Sequence, residues 1–413
     1  MAFTETQLLV VKMITHGIGV YDASAGQIAD DLARETYGLL GLPIDAADRA
    51  CTLANIREAA KSRKRWLLST PNVNFMAESQ RDVSFRETLL QSDHCCPDGM
   101  PIVWLSRLLG VPMKERVSGS DLFESLRAGC SNSEPLKVFL FGGGAGTAEV
   151  VCNLLNAQPS AIRCVGYLNP GFGSVDEMSE PSILDQINGS QADFLAVFLS
   201  AKKAQRWLHR NHSRLQIPVR GQFGSTINYQ AGIVRRAPRI VQRLGFEWLW
   251  RIKEEPHLWR RYWSDGALLV RLVITRALPI ALEFGWQRWF SARDDDLSFW
   301  KIEQENSVLV GLMGSATKTH VTKAITFFRT LLLLRRDIVL DLSKTQEVDA
   351  RFFGLLLMFR KELKEEEKQL KFTGLSARAR RIFRLSGFEF LLEPGPRLES
   401  NDPRADVRVS ELL

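Results

Sequence analysis

The chain has 413 residues, 45% of them hydrophobic and 24% charged, and a formal net charge of +7. That length leaves room for two domains with separate cores, in a composition ordinary for a soluble globular protein. Its six cysteines show neither dense spacing nor paired CxxC knuckles, which excludes a secreted disulfide scaffold and a zinc ribbon and predicts reduced thiols.

Residues 1–40 read as a helical lead-in. No signal peptide is expected, because Met1–Gln7 lacks a basic start and Lys12 and His16 break the apolar run that follows. From 41 to 232, short apolar runs alternate with amphipathic stretches. Trp66–Ser69, Val138–Phe141, Cys164–Tyr167, Phe194–Leu199 and Val219–Phe223 read as buried strands, with helices such as Gly146–Asn156 and Pro181–Ile187 between them. This alternation predicts an α/β domain, a parallel sheet covered on both faces by helices. Ligands of such sheets bind beyond the carboxyl ends of the strands. Thr70–Asn74, Gly142–Gly146, Asn169–Gly173, Ser200–Lys203 and Gly224–Asn228 then share one rim. His94 with Cys95 and Cys96, and His209 with His212, lack the further ligands a metal needs, so no metal site is expected.

Residues 233–290 form a basic, tryptophan-rich appendage. Between Gly232 and Tyr262 eight Arg/Lys face three glutamates, and six of ten tryptophans (Trp248, Trp250, Trp259, Trp263, Trp286, Trp289) lie in this region. Tryptophan interleaved with arginine points to an anionic membrane surface, where indole rings settle at headgroup level. No nucleic-acid recognition element is present; the competing reading is a solvated helix face over packed aromatics. Arg239–Ile252 reads as one amphipathic helix, with Ile240, Leu244, Trp248 and Ile252 on its apolar stripe and Glu247 spaced to pair with Arg251. The apolar stretch Ala267–Phe284 contains Arg271, Arg276, Pro279 and Glu283, which predicts an in-plane or re-entrant segment rather than a span. Residues 291–300 read as a linker. Residues 301–413 form a compact α/β module, with strands at Val308–Leu312, Ile338–Leu342 and Leu370–Thr373 and helices at Val321–Leu333 and Phe352–Lys364.

Taken singly, the chemistry-bearing signals are weak. Pro97-Asp98-Gly99 is an ordinary turn sequence. Gly142, Gly143, Gly144 and Gly146 between a strand and a helix suit a phosphate or merely a tight turn, and no Gly-Lys-Ser/Thr makes them a P-loop. Their order is more specific. Ser69-Thr70-Pro71-Asn72, Pro97-Asp98-Gly99-Met100-Pro101, Glu115-Arg116-Val117-Ser118-Gly119 and Phe141-Gly142-Gly143 come first. Gln230-Ala231-Gly232, Arg243-Leu244-Gly245-Phe246-Glu247-Trp248 and Arg260-Arg261-Tyr262 follow. Together they resemble the WecG/TagA/CpsF glycosyltransferases (glycosyltransferase family 26) from about Leu40 to Trp263.

That resemblance implies a Rossmann-like domain and an inverting, metal-independent transfer, without cofactor, from a nucleotide-diphosphate sugar to a polyprenyl-diphosphate-linked glycan. It places the work at the inner face of the cytoplasmic membrane, in exopolysaccharide or cell-surface glycan synthesis. By motif, Asp98 matches the general base, a carboxylate already ionised at neutral pH if its pKa is ordinary. Thr70 and Asn72 match polar positions beside it. Arg116 matches a guanidinium that neutralises the leaving diphosphate in preference to a structural ion pair with Asp121. Gly142, Gly143, Gly144, Lys203, Gln205, Asn228, Arg251, Arg260 and Arg261 are the implied substrate-binding positions. Two departures stand out: Ala204 replaces the family's usual glutamine, with Gln205 one residue along, and Asn228 replaces an aspartate. Both resemble the branch that includes a glucuronosyltransferase of xanthan-like polysaccharide assembly. A hexuronic acid donor, suited by Lys202 and Lys203, therefore stands beside N-acetylmannosamine.

Ile338-Val339-Leu340-Asp341-Leu342-Ser343, Val348-Asp349, Gly354-Leu355-Leu356-Leu357 and Leu385-Ser386-Gly387-Phe388 resemble a STAS domain. Ala350 and Arg351 follow Asp349 where phosphoregulated members carry Ser or Thr, so the module is expected to act as a docking or self-association surface. Ser343 is a candidate nucleotide contact. The competing reading of the whole chain is a catalytically inactive scaffold of a polysaccharide assembly complex.

Overall fold

The computed structural model describes residues 30–129, 134–157, 159–283 and 295–392. Most of the lead-in lies outside these, as do Cys130, Trp286, Trp289 and residues 291–294 of the linker. The lead-in's last residues are strand rather than helix. β1 (Thr36–Leu39) and β2 (Leu42–Asp45) form an antiparallel hairpin, and every residue of both strands is buried. Leu40 and Gly41 at its tip both have positive φ, 45° and 89°, as a two-residue turn matched to strand twist requires.

Six strands build the main sheet: β3 (Trp66–Ser69), β4 (His94–Cys95), β5 (Leu136–Gly142), β6 (Ile162–Leu168), β7 (Phe194–Phe198) and β8 (Val219–Gln222). Their order is β4-β3-β8-β7-β5-β6 and every pairing is parallel. The helices between them are α1 (Arg49–Lys61), α2 (Val73–Arg81), α3 (Val83–Leu90), α4 (Met100–Leu108), α5 (Gly119–Ala128), α6 (Thr147–Asn156), α7 (Pro181–Gly189), α8 (Ala201–Arg210) and α9 (Thr226–Gln230). β7 can be wholly apolar because both of its faces are covered: Phe194 and Phe198 pack with Phe123 and Phe223 on one side, Leu195 and Val197 with Phe141 and Trp207 on the other. The chain leaves β3 toward one edge and β5 toward the other, so the topological switch lies above β3, β8, β7 and β5. Cys152 on α6 and Cys164 on β6 are joined as a disulfide, with Cα atoms 5.3 Å apart, in place of two expected free thiols. α6 runs back alongside the strand it leads into, which brings the pair together.

The appendage begins with α10 (Arg239–Arg243), α11 (Glu247–Glu254) and α12 (Trp259–Leu272). The single helix expected over Arg239–Ile252 is broken at Gly245, which has φ 77° and lies against α4. A Cβ there would sit 2.5 Å from the Trp104 indole, so only glycine permits the approach. Beyond α12 a π-helical turn (Val273–Ala277) continues into helix through residue 283. Leu272, Ala277 and Ile280 bury into the core beside Leu40 and Val103. The opposite side leaves Trp259, Trp263, Val270, Ile274, Leu278 and Leu282 exposed. Among the described residues no helix is long and apolar enough to cross a membrane.

The C-terminal module is a four-stranded sheet of β9 (Ser298–Glu303), β10 (Ser307–Ala316), β11 (Asp337–Val348) and β12 (Leu370–Thr373), with α13 (Val321–Leu332), α14 (Ala350–Glu365) and α15 (Ala377–Leu385). The order is β12-β11-β10-β9, with only β9 antiparallel. From Asp295 on, the expected linker is already part of it: Gln346 donates to Asp295 (2.6 Å), Lys323 donates to Asp296 (2.9 Å), and β9 starts at Ser298.

α14 is apolar on every side, from Phe352 and Phe353 through Leu355, Leu356, Leu357, Met358 and Phe359, all buried. A helix of that kind needs cover on two faces. Its own sheet supplies one and the β1–β2 hairpin the other. Glycines make the crossing possible: a Cβ at Gly354 would meet Thr36 O at 1.9 Å, and one at Gly38 would meet Phe353 and Phe388 at 2.7 Å. Charges frame the contact. Arg351 Nη1 donates to Thr36 O (3.0 Å), Arg360 pairs with Glu87 (3.0 Å), and Lys361 Nζ lies 2.6 Å from both Asp31 and Asp93. α14, one helix of the module expected to act as a docking or self-association surface, is thus covered within the chain on both of these faces. Lys361→Met strips Asp93 of its buried cation and leaves Asp31 with Arg34 alone. We expect a loss of about 3 kcal/mol, the low end for a broken buried pair because Asp93 keeps some solvent contact, read as a lower denaturant midpoint.

Candidate active site

The loops after β3 and β4 are stitched together by backbone. Asp98 N–H donates to Pro71 O (2.9 Å) and Val117 N–H donates to Pro97 O (2.9 Å), so the segment entering α5 joins them. Gly99, at φ 94°, turns the chain into α4. Asn72 caps α2: its Oδ1 accepts from Phe75 N–H (3.2 Å), and its side chain also hydrogen-bonds Asp98. Thr70 is buried on the same loop.

Asp98 is half-buried. Burial pushes its carboxyl up, Arg116 opposes the rise, and the nearby carboxylates of Glu247 and Asp121 add to it, leaving the group at about 7. The expectation of an ordinary, fully ionised aspartate is corrected: the carboxyl is raised into the neutral range. Arg116 differs from expectation as well. Its Nη2 donates to Asp121 Oδ2 (2.8 Å) and Gln242 Oε1 (3.1 Å), and its Nη1 to Glu247. The ion pair with Asp121 is therefore present and doubled by Glu247. Arg236 holds the other side of Asp121 and reaches Glu124 (2.8 Å).

Across the switch point lies the glycine turn. Gly142, Gly143 and Gly146 have φ of 99°, 88° and 72°, a conformation closed to most side chains. A Cβ on Gly142 would also meet Phe198 O at 3.0 Å. Gly143 N–H donates to Phe198 O (3.1 Å) and Gly144 O accepts from Thr147 N–H (3.1 Å), so part of the turn's hydrogen-bonding capacity is spent on the neighbouring strand. After β8, half-buried Asn228 sits in a turn that accepts Ile233 N–H (3.0 Å) on its carbonyl. Arg251 joins this group: Nη1 donates to Ser225 Oγ (2.7 Å), Nη2 to Glu255, and the guanidinium lies 5.5 Å from the Tyr229 ring centroid. The sequence pairs Glu247 with Arg251; the structure instead sends Glu247 across to Arg116 and turns Arg251 toward Glu255.

Other expected residues are placed elsewhere. Gln205 is fully buried, its Nε2 donating to Ser69 Oγ (2.8 Å), so it supports the β3 loop from beneath. Ala204 is sealed in the core beside Trp207. Lys203 Nζ donates to Gly173 O (2.9 Å). Lys202 is paired with Asp82 (2.9 Å) and Glu78 (3.4 Å), so the cationic rim proposed for a uronate is neutralised on that side. Arg260 and Arg261 are exposed on α12, over Trp259 and Tyr262, and among the described residues no ion pair joins them to the Asp98 group. Glu247, Gln242 and Tyr229 join the site although the sequence did not mark them for it, while Ser225 lies on the expected Gly224–Asn228 rim. Only a fold that brings the appendage back over α4 and α5 reveals them.

Comparison with known proteins places this geometry. The profile described as "Glycosyl transferase WecG/TagA/CpsF family" matches residues 37–281, and that described as "Mlab, STAS domain" matches 303–393. Three relatives bear the name N-acetylglucosaminyldiphosphoundecaprenol N-acetyl-beta-D-mannosaminyltransferase. The protein from Bacillus spizizenii is 26% identical over 196 residues, 48% of this chain and 73% of the relative. That from Bacillus subtilis is 26% identical over 198 residues, 48% and 75%. That from Staphylococcus aureus is 26% identical over 220 residues, 52% and 82%.

The raised Asp98 carboxyl carries a sign that stability can read. The folded chain keeps this proton to about 7 and the unfolded chain only to an ordinary 3.8, so stability is lost as pH climbs through that window. Asp98→Asn removes the loss. The variant should outlast the unsubstituted protein in denaturant at pH 8 and converge with it toward pH 4.

Proposed function

The chain belongs to the WecG/TagA/CpsF glycosyltransferase family, and from that membership we propose that it moves a sugar from a nucleotide-diphosphate donor, a UDP-sugar, to a polyprenyl-diphosphate-linked acceptor. The observation that carries the mechanism is Asp98 at the switch point, hydrogen-bonded by Asn72 and tuned to about 7. In its ionised form Asp98 takes the proton of the acceptor hydroxyl. The oxygen attacks the anomeric carbon, the bond to the diphosphate breaks, and configuration inverts. A base poised near working pH combines availability with proton affinity better than an ordinary carboxylate.

In this reading Arg116 and Arg251 meet the charge of the donor diphosphate without a metal cofactor. Both guanidinium groups are held by appendage carboxylates, Glu247 and Glu255. An incoming diphosphate exchanges for those carboxylates, which couples donor entry to a small movement of α11. Asn228 and the Gly142–Gly146 turn are the surfaces left for the nucleotide. The relatives' name favours N-acetylmannosamine as the transferred sugar and an N-acetylglucosaminyl acceptor. The pairing of Lys202 with Asp82 and Glu78 removes one reason to favour a uronate.

We place the work at the inner face of the cytoplasmic membrane, in cell-surface glycan or exopolysaccharide synthesis. Support comes from the exposed stripe Trp259, Trp263, Val270, Ile274, Leu278 and Leu282, with basic Arg260, Arg261 and Arg271 beside it. One side of this segment is packed into the protein, so the other is free to lie in the headgroup plane.

Three measurements test the proposal. Asp98→Asn should lower transfer from a panel of UDP-sugars to a short-chain prenyl-diphosphate acceptor by roughly 100-fold or more. Equal rates would remove Asp98 as base, and no rate with any donor would favour the inactive scaffold. The acid limb of kcat/KM should lie near 7, and Glu247→Gln should shift it downward by removing a negative neighbour and freeing Arg116. Replacing Trp263 and Ile274 by Ser should weaken binding to phosphatidylglycerol-containing vesicles by roughly tenfold or more, with no change in thermal stability.

A further inference from the structure

Arg116 has a second side. Besides acting on Asp98, it forms part of the wall of a cavity of about 740 Å³ bounded by α4, α5, α10 and the N-terminus of α1. Seven basic and three acidic side chains line it. Arg116 and Arg236 are already paired with carboxylates, and Lys114 lies 3.4 Å from Asp48. That leaves Arg49, Arg107, Arg239 and Arg243, none of which has a carboxylate partner among the described residues. Four unpaired guanidinium groups from three separate segments, α1, α4 and α10, converge on one hollow, which selects for a ligand with at least two negative charges.

The rim adds a second requirement. Trp104 and Leu108 on α4 and Ile240 and Leu244 on and just after α10 are exposed, each by 40% or more. The Gly245 turn lies between them, against Trp104. Among the described residues no aromatic ring lines the cavity itself, so none of them offers a nucleobase an aromatic stacking face. A dense anionic group with an apolar chain attached fits both parts of the surface; a nucleotide does not.

We propose that this cavity binds the diphosphate of the lipid-linked acceptor, while its rim holds the first isoprene units. The inference rests on the transferase reading and extends it by separating two anion sites. The donor diphosphate lies toward the β5 and β8 loops and the acceptor diphosphate toward α4 and α10, with Arg116 between them. The acceptor's terminal sugar then points past Arg116 to the Asp98 carboxylate, and its lipid chain leaves along the appendage.

The test is a titration of the full chain with farnesyl diphosphate, inorganic pyrophosphate and UDP, followed by calorimetry. The unsubstituted protein should bind farnesyl diphosphate more tightly than pyrophosphate. Arg239→Gln with Arg243→Gln should weaken farnesyl diphosphate by roughly tenfold or more, the loss of two charge-assisted contacts, and leave UDP unchanged. Arg49→Gln with Arg107→Gln, on different segments, should do the same, which guards against a local distortion of α10. Unchanged farnesyl diphosphate affinity overturns the proposal. So does a parallel loss of UDP, which would make the cavity a donor site. Pyrophosphate binding as tight as farnesyl diphosphate overturns it too, since the rim would then contribute nothing. Binding needs no turnover, so a chain that binds farnesyl diphosphate but transfers no sugar would refute the transferase reading and leave the cavity assignment standing.

Discussion

Five buried or half-buried charges, Arg34, Asp31, Asp45, Asp93 and Lys361, help hold the two halves of this protein together. Arg34 donates to Asp45 (2.8 Å), Asp31 (2.7 Å) and the carbonyl of Ser92 (2.9 Å). Asp45 accepts Cys95 N–H (2.6 Å) and lies 3.4 Å from His94. Lys361 closes the group from the C-terminal module. Burial alone would make these ions too costly. Arg34 and His94 nevertheless bring the Asp45 carboxyl down to about 2, so it stays charged and the cluster stays paired. β4 is only two residues long and would be a poor edge strand by itself. This cluster fastens it at both ends, and Asp98 stands three residues beyond.

The geometry of the site follows from that attachment and from the return of the appendage. The β3 and β4 loops carry Asn72 and Asp98, and the appendage brings Glu247 and Gln242 to Arg116. Asp98 is tuned by groups distant in sequence: one carboxylate from α5 and another from α11 raise it, and one guanidinium restrains it. Motion of α11 would alter the proton affinity of the base as well as the charge available to a diphosphate.

Much of the sheet was legible in the sequence because β3, β7 and the Val138–Phe141 part of β5 are continuous apolar runs bounded by turn residues, whereas β8 carries Arg220 and Gln222 and shows only through its place in the alternation. The Asp98 loop was legible only through the order of several short motifs, since Pro97-Asp98-Gly99 alone reads as any turn. The failures have local causes. Amphipathic periodicity runs straight through Gly245, and only the indole of Trp104, on a helix far away in sequence, demands a break there. Gln205 looks like a rim residue because it is polar at the start of a helix, yet helical geometry turns it inward under Ser69. The β1–β2 hairpin is too short to show a period. α14 did carry a signal, since Phe352–Phe359 has no polar face and a module covering only one side of such a helix is incomplete.

The glycine crossing limits how this architecture can be rebuilt. At Gly354 the Thr36 backbone, and at Gly38 the side chains of Phe353 and Phe388, pass so closely that even a methyl group has no space. A homologous C-terminal module spliced onto this catalytic domain would bring its own residue to the position of Gly354. Any side chain there would wedge the β1–β2 hairpin away from α14 and uncover Phe352 and Phe353. The two halves are therefore not exchangeable cassettes. Their glycines must be inherited as a matched set, and a regulator acting on this module would work by loading or relaxing a permanent joint rather than by releasing a free arm.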